Sequence, residues 1–179
     1  MKNTKISAAE KAKDAKKTAA KTAPKSPEKF HFNLKKIMIP VDFSEHSMKA
    51  LHYAKAFAKQ YKAKLLVVHV VEQMVYPGDW MYPPITVTEW AGEKRHEVLK
   101  KLGHFTKKAG IEAELMVRLG RAWQEIIEAA KEQECDLLIT STHGYTGLKH
   151  ALLGSVAEKV IRHAPCPVLT VHAHERDFV

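Results

Sequence analysis

The chain has 179 residues, is 45% hydrophobic and carries a formal net charge of +9. That length allows one domain with a substantial core, and no apolar run is long enough to span a bilayer. The charge is uneven. Residues 1–29 hold nine Lys against Glu10, Asp14 and Glu28, a net +6, which leaves only +3 for the other 150 residues.

Residues 1–33 read as a Lys/Ala-rich basic tail. Pro24 and Pro27 interrupt it, and Ile6 is its one large aliphatic residue before the folded part. Such a segment cannot bury enough apolar surface to offset its ordering entropy, so the expectation is a disordered extension with transient helix over 7–22. The tail could touch a polyanion: RNA, DNA or an anionic membrane surface. Residues 1–29 hold no Arg and no aromatic residue among the lysines, so that contact would be nonspecific and strongly salt-dependent. No apolar segment follows the N-terminal charges, so a secretory signal is not expected. Cys135 and Cys166 make no disulfide framework and are expected as reduced thiols in a cytoplasm.

Residues 34–174 read as one folded domain. KKIMIPVD (35–42) is a short apolar run stopped by Pro and Asp: a buried strand running into a loop. Ser44 can cap the next helix, with Glu45 in its first turn. Met48, Leu51, Ala54, Ala58 and Tyr61 form its apolar stripe. KLLVVHVV (64–71) is a second buried strand. The loop 72–87 follows, with Met74, Val75, Tyr76, Trp80, Met81 and Tyr82 among Pro77, Gly78, Pro83 and Pro84. A helix is predicted from Thr88 to about Ala109, with Val98, Leu102, Phe105 and Ala109 inward and Gly110 ending it. AELMVRL (113–119) is strand three. Trp123, Ile126, Ile127 and Ala130 mark helix three, and DLLITST (136–142) is strand four. A glycine-rich loop leads to a helix from Ser155 with Val156, Ala157, Val160 and Ile161 inward. Pro165 and Pro167 stop it, and VLTVH (168–172) is the last strand. Strands apolar throughout are buried on both faces, so this alternation predicts an open five-stranded parallel sheet with helices on both sides.

The stretch STHGYTGLKHALLGSVAEKV (141–160) poses the functional question. No Gly-Lys-Ser/Thr of a Walker loop occurs, and these glycines follow strand four rather than strand one, which excludes the dinucleotide fingerprint. Gly154 and Ser155 nevertheless open a helix whose first amides and dipole favour an anion, while Gly144 permits close approach of a ligand. The alternative is an ordinary glycine-led helix start with no ligand.

IPVDFSEHSMKAL, HVV and STHGYTGLKHALLGSVAEKVIRHAPCPVLTV together resemble the universal stress protein family, over about residues 34–172. The resemblance implies strand order 3-2-1-4-5, dimerisation through the last strand (167–172), and ATP, alone or with Mg2+, as a regulatory ligand. The nucleotide-binding branch resembles G-x2-G-x9-G-[ST]. On this chain the frame reads Ser141-Thr142-His143-Gly144, nine residues, then Gly154-Ser155, so Ser141 replaces the first glycine and Gly147 falls outside. If Ser141 has φ below zero, the substitution only adds a hydroxymethyl group. If φ is positive, it is strained by roughly a kcal/mol or more.

In that strand order the chain reverses between strands one and four, and a ligand crevice is expected at their C-terminal ends. The residues implied to contact an adenine nucleotide are Pro40, Val41, Asp42, Val70, Ser141, His143, Gly144, Gly154, Ser155 and Val156. Asp42 and Val70 would meet the adenosine end, and the glycine frame would meet the phosphates. Without a ligand, Asp42 would compete with Ser44 as a helix cap, and Val70 would only pack the core.

Other candidates read more plainly. His172 and His174 share a strand face but are expected in solvent rather than on a metal. Lys149 reads as a solvated loop lysine, and Cys166, between two prolines, as an inert core thiol. No nucleophile-base pair is assigned, so the reading is not an enzyme. Three functions compete: a cytoplasmic, dimeric, ATP-binding regulator of stress response; a nucleotide-free dimeric interaction protein of the same fold, using the aromatic loop 72–87; and a module localised by its polyanion-binding tail.

Overall fold

The computed structural model describes residues 32–72, 92, 94–142 and 153–172. The tail, most of the aromatic loop, His143, Gly144, Gly147, Lys149 and His174 lie outside them. Five strands alternate with four helices: β1 (Lys36–Pro40), α1 (Glu45–Tyr61), β2 (Lys64–Val71), α2 (Arg95–Lys108), β3 (Glu114–Leu119), α3 (Ala122–Glu132), β4 (Leu137–Ser141), α4 (Ser155–His163) and β5 (Val168–Val171). The sheet order is β3-β2-β1-β4-β5, and every pairing is parallel. The expected architecture is therefore the observed one; β2 matches its apolar run and the other strands are one to three residues shorter than theirs.

Two cores sandwich the sheet, and the strand period of two divides the residues between them. In β1, Ile37 and Ile39 join Leu51, Tyr53 and Leu102 on the α1/α2 side. Met38, between them, joins Ile126, Ala129 and Val160 on the α3/α4 side. All three β1 residues are fully buried. A carboxylate sets the starting edge: Asp136 Oδ2 accepts from the amides of Lys35 (2.7 Å) and Lys36 (2.9 Å), tying the entry of β1 to that of β4.

Two apolar stripes differ from the expected ones. On α1 the buried residues are Ser47, Ala50, Leu51, Tyr53 and Ala54, whereas Tyr61 is exposed. Small residues let this helix approach the sheet closely, and Tyr61 in the last turn stacks on Phe57 instead. On α4 the buried residues are Ala157 and Val160, and Ile161 is 41% exposed. In so short a helix the stripe centres on Val160, with Ile161 about 100° further round. The described part of α2 begins at Arg95; the expected start at Thr88 lies outside the described residues. Gly110 ends that helix as expected, at φ +64°.

Gly120 turns the chain from β3 into α3. Its φ is +148°, and a Cβ there would stand 2.7 Å from Glu125 Oε1. Gly103, inside α2, would place a Cβ at an ordinary 3.6 Å from Leu115 Cδ1. Gly120→Ala is expected to destabilise by about 1–3 kcal/mol through backbone strain, and Gly103→Ala to stabilise by about 0.5–1 kcal/mol through helix propensity. Urea unfolding midpoints of the two variants against the wild type test the contrast.

Candidate functional site

The order in which strands are added to the sheet reverses between β1 and β4, so the segments leaving these two parallel strands enclose a crevice at the C-terminal edge of the sheet. Its volume is about 260 Å³. It gathers Pro40, Val41, Asp42, Val70, Ser141, Gly154, Ser155 and Val156 from the expected set; His143 and Gly144 lie outside the described residues.

The first wall is the β1–α1 turn. Val41 N–H continues the sheet ladder to Val68 O at 2.8 Å. Asp42 Oδ1 then accepts from the Ser44 amide (3.0 Å) and hydroxyl (2.5 Å). Ser44 is the N-cap of α1, its Oγ accepting from the Ser47 amide at 3.1 Å. Asp42 thus supports the cap rather than being it, and lines the crevice while doing so. Phe43 between them has φ +65°. That is costly for a bulky side chain, so contacts must hold it there. Its ring packs on His69 (4.3 Å) and edge-on against Phe105 (5.4 Å), and Lys101 Nζ stands 4.2 Å above it.

The opposite wall is the end of β4 and the start of α4. Ser141 is a strand residue paired with Val171. The described non-glycine residues with positive φ are Phe43, Lys62 and Glu134, so Ser141 is unstrained. Its substitution for glycine adds only a hydroxymethyl group to the crevice wall. The fully buried Thr142 joins the segments: its N–H donates to Val171 O (3.1 Å), and its C=O accepts from Gly154 N–H (2.7 Å). Thr142 Oγ1 also lies 3.2 Å from His172 Nδ1, so His172 is half-buried beside the site rather than in solvent. Gly154 is the N-cap of α4 and offers no side-chain cap. The helix ladder begins with Glu158 N–H on Gly154 O, so the amides of Ser155, Val156 and Ala157 precede it. With the helix dipole, these donors make that corner attractive to an anion.

Val41, Val68, Val70, Ile126 and Val156 give the crevice an apolar lining beside the polar corner. Val70 also packs against the α3/α4 core, so both of its readings hold together. Among the described residues the wall carries no Lys or Arg. Arg118, on β3, is committed elsewhere: Nε donates to Glu125 and the two terminal nitrogens donate bidentately to Glu132, which raises its pKa further. Glu72, at the rim, accepts from the Ala122 amide at 2.9 Å and caps α3. Anion affinity here rests on amides and hydroxyls. No group of three or more His, Cys, Asp or Glu with metal-site geometry occurs among the described residues. Burial pushes the Cys135 thiol up to about 11 and raises that of half-buried Cys166 too.

Sequence reasoning missed His69, Glu72, Thr140, Thr142, Ala122 and Ile126 in the wall. One signal was present: His69 is the lone polar residue within VVHVV. His69 Nδ1–H donates to Val41 O at 2.8 Å, the ring's donor role following from a carbonyl's inability to donate.

Fold and crevice define a doubly wound α/β protein with an open crevice where the strand order reverses. The chain belongs to the universal stress protein family, whose model matches residues 33–172. It is 34% identical over 148 residues to a universal stress protein of Methanocaldococcus jannaschii, MJ0531, covering 80% of this chain and 85% of that one. It is 35% identical over 144 residues to YxiE of Bacillus subtilis, covering 76% and 97%. Among solved structures, the fold is similar to UspA from Lactobacillus plantarum (TM-score 0.63, 23% identity, 79% and 99% covered). It is also similar to a universal stress protein in complex with cAMP (TM-score 0.56, 23% identity, 79% and 98%). A third, from Archaeoglobus fulgidus, was solved with dAMP (TM-score 0.52, 21% identity, 78% and 98%).

Burial lowers the pKa of His69 from its ordinary value, as does Lys101 on α2, against the Val41 hydrogen bond and Asp42, which raise it. The unfolded chain therefore binds this proton more readily than the folded one. The resulting stability is complete above the unfolded value, near pH 6.5, and declines as pH falls toward the lower folded value. Urea midpoints should fall between pH 7.5 and 5, with a smaller fall in His69→Asn. Equal falls in the two proteins would refute the assignment.

Proposed function

We propose that this chain binds an adenine nucleotide, ATP alone or with Mg2+, in the β1/β4 crevice as a regulatory ligand in stress response. The observation that carries the reading is the side-chain-free N-terminus of α4 facing the crevice beside an apolar wall. After Gly154, Ser155, Val156 and Ala157 present amides and a hydroxyl there, with Ser141 at ordinary strand geometry alongside. Such donors suit phosphate oxygens. Val41, Val70 and Ile126 suit the face of a base, and the Asp42 carboxylate suits ribose hydroxyls. His143 and Gly144 belong to the same sequence frame and would complete the phosphate side. Family membership supports the reading, as do fold relatives solved with cAMP and dAMP. Magnesium, when bound with ATP, would screen phosphate charge, for which the described residues of the wall offer no Lys or Arg. No group in the described wall is assigned to turning the nucleotide over, so the ligand acts by occupancy. A cytoplasmic location goes with this reading; among the described residues no helix is long and apolar enough to cross a membrane.

Ser155→Pro tests the phosphate corner. Gly154 has φ −70° and ψ 149°, a conformation suited to the residue before proline, and N1 is where proline fits a helix. The substitution removes one amide donor and the hydroxyl while sparing the helix ladder. ATP affinity by calorimetry should fall at least about tenfold, as for lost hydrogen bonds to a charged group. The absence of heat and of a thermal shift with millimolar ATP for the wild type would refute nucleotide binding and leave the interaction-protein reading.

Dimerisation through residues 167–172 is part of the same proposal. β5 is an edge strand with three of its four residues half-buried. Pro167 and Val171 turn their carbonyls toward β4, so strand alternation points the Thr170 amide away from it. Thr170→Pro should therefore yield a folded monomer, with light scattering reading the mass and circular dichroism the fold. An unchanged dimer would exclude this edge.

A further inference from the structure

We propose that His69 is the positioning residue of the crevice, holding the Val41–Phe43 turn so that Asp42 faces the ligand space. Three observations converge on it. Its Nδ1–H donates to Val41 O at 2.8 Å, while Val41 N–H is already held by Val68 O. Both backbone groups of the last residue before the turn are thus fixed by β2. The next residue but one, Phe43, has φ +65°, and its ring lies 4.3 Å from the imidazole. The same histidine therefore grips both sides of Asp42. Finally, His69 itself lines the crevice, adjacent to Val68 and Val70, so any shift of its ring is a shift of the wall.

The physical logic is one of strain and restraint. A bulky residue at positive φ relaxes toward the β or helical region unless its surroundings over-determine it. Phe105 and Lys101 press on Phe43 from α2. His69 couples the strained ring to the strand that enters the turn, through the Val41 carbonyl. If that tether is cut, the turn has a cheap route to relax by rotating the Asp42–Phe43 peptide. Asp42 would then keep its bonds to Ser44, which move with it, and lose its aim into the crevice.

This rests on the proposed nucleotide site for its effect on affinity, but the tether can be read without any ligand. Long-range 1H–15N spectra of the wild type at neutral pH should show His69 protonated at Nδ1 and bare at Nε2. The Nε2–H tautomer would overturn the proposal. His69→Leu keeps the bulk and removes the donor, and should shift the amide resonances of Asp42 and Phe43 and weaken ATP binding about tenfold, a loss typical of misplaced contacts. His69→Asn offers an N–H near the Nδ1 position and should recover much of both. Unmoved turn resonances in His69→Leu would overturn the proposal whether or not ATP binds. Wild-type failure to bind ATP would instead strike the proposed function and leave the resonance test standing. Should His69→Leu not fold, the tautomer and the His69→Asn resonances decide.

Discussion

Strand β1 is the constraint about which the molecule is arranged. Ile37, Met38 and Ile39 have no exposed surface, so the strand must be covered on both faces and hydrogen-bonded along both edges. A parallel strand satisfies each edge only if the chain returns over the sheet, and the returning segments are the helices that cover its faces. Filling both sides of one central strand obliges the chain to build outward first one way and then the other. The reversal this produces leaves the ends of β1 and β4 diverging, and the crevice is the space between them. The crevice is thus a consequence of burying three aliphatic residues twice over.

The two walls of that space are made by different means. On the β4 side the geometry is relaxed. Ser141 is an ordinary strand residue, Thr142 spends its backbone groups on Val171 and Gly154, and α4 starts without a side-chain cap. Its donors remain directed at the crevice because nothing on the N-cap residue competes for them. On the β1 side the geometry is strained, with Phe43 at φ +65° between a carboxylate and a capping serine. Strain of this sort persists where neighbours over-determine it, and here they are an imidazole, a phenyl ring and an ammonium group. One wall offers donors by omission; the other fixes a carboxylate by crowding.

The acidic and basic groups sort accordingly. Asp136, Glu72 and Asp42 each serve backbone amides at a strand or helix entry, and Arg118 is absorbed by Glu125 and Glu132. Two thirds of the excess charge of this chain, +6 of +9, lies in its first 29 residues, away in sequence from the crevice. Among the described residues the crevice wall offers an anion helix-end amides and hydroxyls rather than Lys or Arg, beside an apolar lining.

Much of this was legible in the amino acids. Apolar runs flanked by Pro, Gly and Asp located every strand, since a strand buried on two faces leaves no polar alternation to obscure it. Ser44, Gly110 and Gly154-Ser155 marked helix ends because capping is local chemistry. The spacing from Ser141 to Ser155 picked out residues that line the crevice. Helix faces were less legible: Tyr53 inward and Ile161 outward depend on how closely each helix approaches the sheet, which no single helix encodes. What tertiary structure alone decided was the sign of φ at Ser141, the shared role of Asp42 and Ser44, and the presence of His69. Backbone conformation at Ser141 is set by its pairing with Val171, thirty residues on, and His69 matters only because β2 lies beside β1. The local sequence determined which residues begin and end each element. Which of them meet across the crevice was decided by the order of strands in the sheet, because contacts between distant segments exist only once the cores that hold those strands together have formed.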